Sequence, residues 1–372
     1  MATKRCDGCG TTGDDFLRCG VCLSAFYCSR KCQVAAWKQG HKAVCKKPLF
    51  HDFGRLDQRI SPAACEQLLD QGFMVIDNFL GHDWATALRS EIQFLREKNL
   101  LVPNKTQFPS TTTPGAVTQY DKPNIYEADL HNTAVRTQVP QLDALFHQDD
   151  LARVLASHTG LPLVHRTQGK TLKVQFNAGH GGCFPCHYDN PGRPNKRRLT
   201  CLIYFNPDWK DGDGGEIELY PFLSGTSVVV RPLMDRLVVF SSDRILHRVL
   251  PSQAERYCLT VWIDGENVNT DADSQLNIAA SDLNENWDGF IAKLAKSPVQ
   301  RLVSRGVYAE EYLESLTQCM EQGAPQGFAD MLHSHETHLA RLQLNTPLQA
   351  LIDRLRAERA KRVEIATPAH PV

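Results

Sequence analysis

Seven cysteines and one histidine fall within the first 45 residues, in four pairs whose members are separated by two or three residues. The pairs are Cys6 with Cys9, Cys19 with Cys22, Cys28 with Cys32, and His41 with Cys45. A segment this short cannot bury a core of its own, whereas thiolates and an imidazole can complete two tetrahedral zinc sites. The pattern predicts a module over residues 1–48 that folds around two Zn(II) ions.

The rest of the chain has an ordinary globular composition. Of its 372 residues, 42% are apolar and 22% are charged, and the formal net charge is −1. A near-neutral charge gives no general attraction to nucleic acid, and no apolar run approaches the roughly 20 residues that span a bilayer. We therefore expect neither a membrane nor a nucleic acid as a partner.

The remaining cysteines are scattered along the chain, and the N-terminal residues contain no apolar stretch of the secretory type. They are Cys65, Cys183, Cys186, Cys201, Cys258 and Cys319. Scattered thiols without a secretory signal are typical of a reducing compartment. This predicts a cytoplasmic and/or nuclear location.

Helix and strand signals alternate after the cysteine-rich segment. Ser61 is a candidate N-cap for a helix that ends at Gly72, followed by a short strand at 73–76. Apolar residues spaced by three and four predict a helix over 83–98, and another is predicted over 149–158. Residues 103–125 are rich in Thr, Pro, Asn and Gln and predict a long loop.

From Thr171 onward the apolar pattern has a period of two, with Gly, Pro, Asn and Asp between the runs. Short strands at this spacing indicate a sandwich or a barrel. The predicted strands are 171–176, 199–206, 216–220, 226–230, 236–240 and 256–264. Residues 275–366 are predicted to be a helical extension, with helices near 307–321 and 347–363.

A second set of metal-ligating residues lies in the strand-rich region after Thr171. His187 and Asp189 are two residues apart and would share one face of a strand. With His247 from a later strand they would supply two imidazoles and one carboxylate to a metal. This donor set leaves adjacent positions open, as in non-haem Fe(II) oxygenases, whereas a structural zinc site is closed.

Arg256 begins the last predicted strand, on the face that also carries Cys258, Thr260 and Trp262. A guanidinium on the inner face of a barrel requires an anion. A dicarboxylate cosubstrate would satisfy it through two parallel hydrogen bonds. The alternative is a structural ion pair with a carboxylate such as Asp243.

Residues 61–265 resemble the Fe(II)- and 2-oxoglutarate-dependent prolyl hydroxylases, particularly the hypoxia-inducible-factor type, and predict an oxygenase domain over 61–268. The resemblance implies an α+β chain with a double-stranded β-helix (jelly-roll) catalytic core and flanking helices. It is carried by residues 187–191, 204–209, 214–216, 235–237, 241–244, 247–249 and 256–262. One departure from the family is Asn177, which stands where a tyrosine is usual.

The resemblance implies a role for each matching residue. His187, Asp189 and His247 would bind Fe(II). Arg256 would clamp the distal carboxylate of 2-oxoglutarate, with Tyr204 donating its hydroxyl to the same group and Thr260 lining the pocket. The implied reaction uses O2, with ascorbate as an auxiliary reductant, and hydroxylates a prolyl residue of a protein or peptide, with a role in oxygen sensing.

Residues 6–45 resemble the MYND finger family at all eight ligand positions. The resemblance implies that Cys6, Cys9, Cys28 and Cys32 bind one zinc ion, and that Cys19, Cys22, His41 and Cys45 bind the other. It also implies that the finger binds proline-containing peptides of partner proteins.

Two alternative functions remain at this point. One is an oxygenase of the same class that acts on another residue or on a ribosomal or translation protein. The other is an inactive barrel that serves as a scaffold for the finger.

Overall fold

The computed structural model describes residues 4–13, 16–21, 25–45, 56–109, 117–277, 283–323 and 325–366.

Two short antiparallel strand pairs form the N-terminal module, β1 (Lys4–Arg5) with β2 (Thr12–Gly13) and β3 (Leu17–Arg18) with β4 (Phe26–Tyr27). Helix α1 (Arg30–Ala36), a π-helical turn (Trp37–His41) and α2 (Lys42–Val44) follow. Among the described residues, the buried cluster of this module consists of Cys6, Cys19, Ala25, Tyr27 and Ala36, which is too small to stabilise it without metal.

The predicted helix–strand–helix segment is confirmed. Helix α3 (Leu56–Arg59) precedes α4 (Pro62–Gln71), whose first turn is capped because the Ser61 hydroxyl accepts a hydrogen bond from the Ala64 amide at 3.2 Å. Gly72 ends α4 in the left-handed conformation, with φ of 85°, and leads into β5 (Phe73–Ile76).

Further helices cover the outer face of the main sheet. They are α5 (His82–Glu97), α6 (Thr133–Arg136), α7 (Pro140–His147) and α8 (Asp150–Thr159). Their apolar faces join the largest hydrophobic cluster, which includes Leu88, Ile92 and Leu155. Tyr257, Leu259, Val261 and Ile263 of the last strand pack into the same cluster, as the alternation along that strand predicts.

Two antiparallel sheets form the core of the chain and confirm the predicted jelly-roll. The larger sheet has the order β5-β13-β10-β15-β8-β7-β6 and the smaller has the order β12-β11-β14-β9. The strands are β6 (Val102–Pro109), β7 (Val117–Asp129), β8 (Lys170–Asn177), β9 (Gly182–His187), β10 (Arg197–Tyr204), β11 (Ile217–Tyr220), β12 (Val228–Val230), β13 (Arg236–Ser241), β14 (Leu246–Ser252) and β15 (Arg256–Asp264).

The prediction of a long loop over 103–125 is wrong. Most of this segment forms a hairpin in which β6 and β7 pair antiparallel at the edge of the larger sheet. Polar residues are tolerated here because β6 is an edge strand with one partner, so much of the hairpin is not packed in the core. Residues 110–116, between the two strands, lie outside the described part.

Two strands of the smaller sheet were missed by the sequence pattern. In β9 every residue before His187 is buried, so the apolar alternation that marks a half-exposed strand is absent. The strand also ends at His187, and Asp189 follows in the connecting segment. His247 lies on β14, the second strand that the sequence pattern missed.

The C-terminal helices pack against the smaller sheet. Tyr220, Phe222 and Leu246 share a hydrophobic cluster with residues of the helices, including Val303 and Tyr308. The helices are α9 (Trp287–Ala295), α10 (Arg301–Val307), α11 (Ala309–Glu321), α12 (Pro325–Gln343) and α13 (Thr346–Ala366). No helix in the described ranges is long and apolar enough to cross a membrane.

Candidate active site

Two histidines and one aspartate meet at one end of the jelly-roll. His247 of β14 pairs in register with His187 at the end of β9, which places their rings 4.2 Å apart between centroids. The Oδ1 atom of Asp189 lies 3.6 Å from Nε2 of His187, and Oδ2 lies 3.9 Å from Nε2 of His247. One ligand atom from each residue lies within 4.8 Å of the others, so the three can share one metal ion.

Hydrogen bonds orient both imidazoles toward a common point. Nδ1 of His187 lies 2.8 Å from the Pro185 carbonyl oxygen, and Nδ1 of His247 lies 3.2 Å from the Ile245 carbonyl oxygen. A ring that donates from Nδ1 presents the lone pair of Nε2 to a metal. Burial lowers the pKa of His247 to about 4, with the His187 imidazole adding to the effect, so this ring is neutral at pH 7.

The carboxylate of Asp189 is oriented by two donors from the larger sheet. Its Oδ2 atom accepts hydrogen bonds from the Thr200 hydroxyl at 2.7 Å and from the Trp262 indole N–H at 3.0 Å. Burial opposes ionisation of Asp189, but its interactions with His187, His247 and Thr200 outweigh burial and hold its pKa below the usual range. Oδ2 is therefore occupied by protein donors and Oδ1 is left for a metal.

Replacing Trp262 by phenylalanine removes one of these donors while keeping an aromatic ring. We expect iron affinity to fall by about 10- to 100-fold, as found for partners of metal ligands in other proteins. Titration of the metal-free protein with Fe(II) under argon would measure this change. Trp209→Phe is the matched control, because its indole N–H donates to the Gly214 carbonyl oxygen at 2.9 Å and not to one of the three metal-ligating residues. Equal iron affinity in both variants would contradict this role of Trp262.

Next to the metal-ligand cluster, the inner face of β10 and β15 carries three buried polar atoms without a hydrogen-bond partner in the described part of the chain. They are the Tyr204 hydroxyl, Arg256 Nε and Thr260 Oγ1. The guanidinium carbon of Arg256 lies 4.9 Å from the centroid of the Tyr204 ring, and Arg256 is only 3% exposed. Three unsatisfied buried polar atoms on one face of the sheet indicate a binding site for a polar ligand.

The donor set fits the distal carboxylate of 2-oxoglutarate. A guanidinium can hold a carboxylate through two parallel hydrogen bonds, and two hydroxyls can complete its shell. The alternative pairing of Arg256 with Asp243 does not occur, because Asp243 forms an ion pair with Arg198 at 2.8 Å. The three predicted ligand-pocket residues are thus brought together and left open to a ligand.

Asn177, the departure from the family pattern, has a structural role here. Its amide nitrogen donates to the Gly182 carbonyl oxygen at 2.8 Å, and its side-chain oxygen accepts from the Gly179 amide at 3.0 Å. These bonds close the turn between β8 and β9. Both atoms of the side-chain amide are therefore engaged in the turn that leads to His187.

The cysteine-rich segment forms two ligand clusters. Cys6, Cys9, Cys28 and Cys32 form one, and Cys19, His41 and Cys45 form the other. Cys22 lies outside the described residues, so the second cluster is seen with three of its four predicted ligands. Thiolates with one imidazole are the donors of closed structural zinc sites.

Cys28→Ser removes one ligand of the four-cysteine cluster. We expect the zinc content to fall from two ions to one or fewer per chain, because loss of folded structure in the finger also weakens the second site. Elemental analysis of the purified protein and proteolysis of the first 45 residues would measure both effects. Cys65→Ser, at a buried cysteine of α4 outside both clusters, is the control and should keep both ions. Two zinc ions in Cys28→Ser would contradict the assignment.

Two of the scattered cysteines, Cys183 and Cys186, are buried beside the C-terminal helices. The Cys186 amide donates to the Ser315 hydroxyl at 3.0 Å, and Cys183 packs with Leu316 and Cys319. Neither is in a group of metal-ligating residues within the described ranges. They serve as small buried side chains at the contact between β9 and α11.

A jelly-roll with two imidazoles, one carboxylate and an unsatisfied arginine pocket defines an Fe(II)/2-oxoglutarate oxygenase. Profiles of protein families agree: the 2OG-Fe(II) oxygenase superfamily matches residues 172–264, and the MYND finger matches residues 6–45. A solved prolyl 4-hydroxylase structure from Phytophthora capsici is 49% identical with a TM-score of 0.73, and the match covers 84% of this chain and 97% of that one. The chain belongs to the prolyl 4-hydroxylase family of these oxygenases.

Two curated relatives match the core at lower identity. The hypoxia-inducible factor prolyl hydroxylase of Caenorhabditis elegans is 28% identical over 212 residues, which are 55% of this chain and 28% of that protein. Egl nine homolog 1 of Rattus norvegicus is 28% identical over 201 residues, covering 51% of this chain and 54% of that protein. The chain thus spans about half or less of the length of these relatives.

Proposed function

We propose that this protein hydroxylates a prolyl residue in a protein or peptide substrate, using Fe(II), 2-oxoglutarate and O2. The observation that carries the proposal is the placement of the His187–Asp189–His247 cluster beside the open Arg256 pocket. The family relationship to a prolyl 4-hydroxylase of nearly half-identical sequence supports the same conclusion. An oxygen-sensing role is part of the proposal, since relatives include a hypoxia-inducible factor prolyl hydroxylase.

The three ligands hold Fe(II), and Arg256, Tyr204 and Thr260 bind the distal carboxylate of 2-oxoglutarate. When bound, the metal and cosubstrate would supply the oxidising chemistry, in which one atom of O2 enters succinate as 2-oxoglutarate loses CO2 and the other enters a substrate C–H bond. The protein supplies orientation and a dry pocket. Phe240 illustrates the latter, because its fully buried ring packs 4.5 Å from that of His247 between centroids.

The finer assignments belong to the same proposal. Ascorbate would act as an auxiliary reductant, and the finger would bind proline-containing peptides of partner proteins. The protein would work in the cytoplasm and/or nucleus. We also propose three units along the chain: the finger at 1–48, the oxygenase at 61–268 and the helical extension at 275–366.

Succinate release and peptide mass spectrometry test the activity together. The iron-loaded protein is incubated with 2-oxoglutarate and proline-containing peptides, in air and under argon. We expect oxygen-dependent succinate and a mass gain of one oxygen atom on proline. A mass gain of one oxygen atom on a residue other than proline would instead identify an oxygenase of the same class that acts on that residue. The absence of both signals in iron-loaded protein that binds 2-oxoglutarate would overturn the proposal and favour a scaffold.

A further inference from the structure

Lys122 lies beside the metal-ligand cluster, on strand β7 of the hairpin. Its ammonium nitrogen is 4.3 Å from the centroid of the Phe184 ring. The Phe184 ring in turn stacks on His187, with 6.3 Å between centroids. One aromatic ring therefore separates this cation from a proposed iron ligand.

The ammonium of Lys122 has no ion-pair partner among the described residues, although two carboxylates face it. Glu127 is engaged by Lys173, whose ammonium lies 2.7 Å from Oε1, and its Oε2 accepts a hydrogen bond from Asn104. Asp189 is engaged by Thr200 and Trp262, as described above. Cys319 and the like-charged Lys173 are also among the described groups whose charges act on Lys122.

Burial of a cation without a paired anion costs free energy. Lys122 is half-buried, and this partial removal from water lowers the pKa of its ammonium to about 8. The side chain still carries a proton at pH 7. A carboxylate brought by a ligand would recover that cost and would form a charge-assisted hydrogen bond.

The C-terminal extension fixes the hairpin that carries Lys122. The Tyr120 hydroxyl donates a hydrogen bond to Oδ2 of Asp330 on α12. Gly327 of the same helix approaches so closely that a Cβ atom there would lie 2.7 Å from Cγ of Tyr120. Lys122 is therefore held by a packed element, as a recognition residue requires.

We propose that Lys122 is a specificity-determining residue that binds a side-chain carboxylate of the substrate close to the hydroxylated proline. The preferred substrate class is then an acidic prolyl peptide. This inference rests on the proposed function, because it concerns the peptide that enters the same site. The β6–β7 hairpin would then take part in substrate choice, together with the C-terminal helix α12 that packs against the hairpin.

Equilibrium binding tests the inference separately from catalysis. Two prolyl peptides that differ only by glutamate or glutamine beside the proline are titrated into the full chain loaded with Mn(II) and 2-oxoglutarate under argon. We expect the acidic peptide to bind about tenfold more tightly, the usual scale of a hydrogen bond to a charged group. Lys122→Gln should reduce the ratio of the two dissociation constants to about one, whereas Lys122→Arg should keep most of it.

Lys98→Gln is the matched control, because Lys98 is an exposed lysine that also lies over an aromatic ring, at 5.9 Å from the Phe94 centroid. It should keep the preference of the unchanged protein. An equal preference in Lys122→Gln and the unchanged protein would overturn the inference, as would the absence of any preference in the unchanged protein. Charge-dependent binding without oxygen transfer would support Lys122 while contradicting the prolyl hydroxylase activity.

Discussion

Asp189→Ala is expected to abolish succinate production. The substitution removes one of the three proposed iron ligands and also the carboxylate that accepts hydrogen bonds from the Thr200 hydroxyl and the Trp262 indole N–H. Removing a residue that only hydrogen-bonds to a metal ligand typically lowers metal affinity or activity by about 10- to 100-fold. Removing the ligand itself should therefore lower them further. Iron content per chain and succinate release from the same preparation measure the effect.

Asp211→Ala is the control for this experiment. Asp211 is an exposed turn residue whose carboxylate lies 3.3 Å from the Arg231 guanidinium. Unlike Asp189, it is a surface carboxylate that belongs to no metal-ligand cluster in the described residues. A surface ion pair of this kind contributes about 0–1 kcal/mol, so both readouts should stay at the level of the unchanged protein. Turnover of Asp189→Ala equal to that of the control would refute the assigned role.

Arg256→Gln is expected to weaken 2-oxoglutarate binding by at least about 30-fold. Truncating one partner of a buried, hydrogen-bonded charge pair costs about 2–5 kcal/mol, and the lower end corresponds to roughly that factor. The 2-oxoglutarate dissociation constant of Arg256→Lys should lie between those of the unchanged protein and Arg256→Gln, because lysine keeps the charge and loses the planar guanidinium. Calorimetric titration of Mn(II)-loaded protein with 2-oxoglutarate under argon gives the dissociation constants.

The neighbouring Tyr257 provides the control for the arginine. It points to the opposite face of β15, where its hydroxyl bonds Glu255 at 3.0 Å and accepts from Arg96 at 2.7 Å. Tyr257→Phe should therefore leave the 2-oxoglutarate dissociation constant unchanged, whereas Tyr204→Phe should raise it several-fold. Metal content should stay normal in all these variants, which separates a cosubstrate defect from loss of iron. Tight binding by Arg256→Gln would contradict the pocket assignment.

Short-range patterns predicted much of this architecture correctly. Ser61, Gly72 and the period of two after Thr171 act within a few residues, so their consequences can be read locally. The hairpin at 102–129 was misread because its polar residues lie on an edge strand. Strand β9 was missed because nearly complete burial removes the alternation on which strand prediction depends.

The chemistry of the metal cluster was predictable for a similar reason. His187 and Asp189 are close in sequence, and His247 and Arg256 stand out as residue types that a barrel interior does not accept without a ligand. Their supporting partners were not predictable. Trp262 donates a hydrogen bond to Asp189, which is 73 residues away in the chain. The strand pattern predicts that Trp262 lies on the inner face of the strand, but it does not predict which group accepts its hydrogen bond.

By itself, the sequence determined the zinc-ligand spacing, the strand periodicity and the set of residues suited to iron and a dicarboxylate. Only the tertiary structure decided which polar groups are satisfied and which are left for a ligand. It pairs Arg198 with Asp243 and Lys173 with Glu127, and so leaves Arg256 and Lys122 without anions in the described chain. The physical reason is that such pairing depends on strand register and packing between distant segments, which local residue order does not specify.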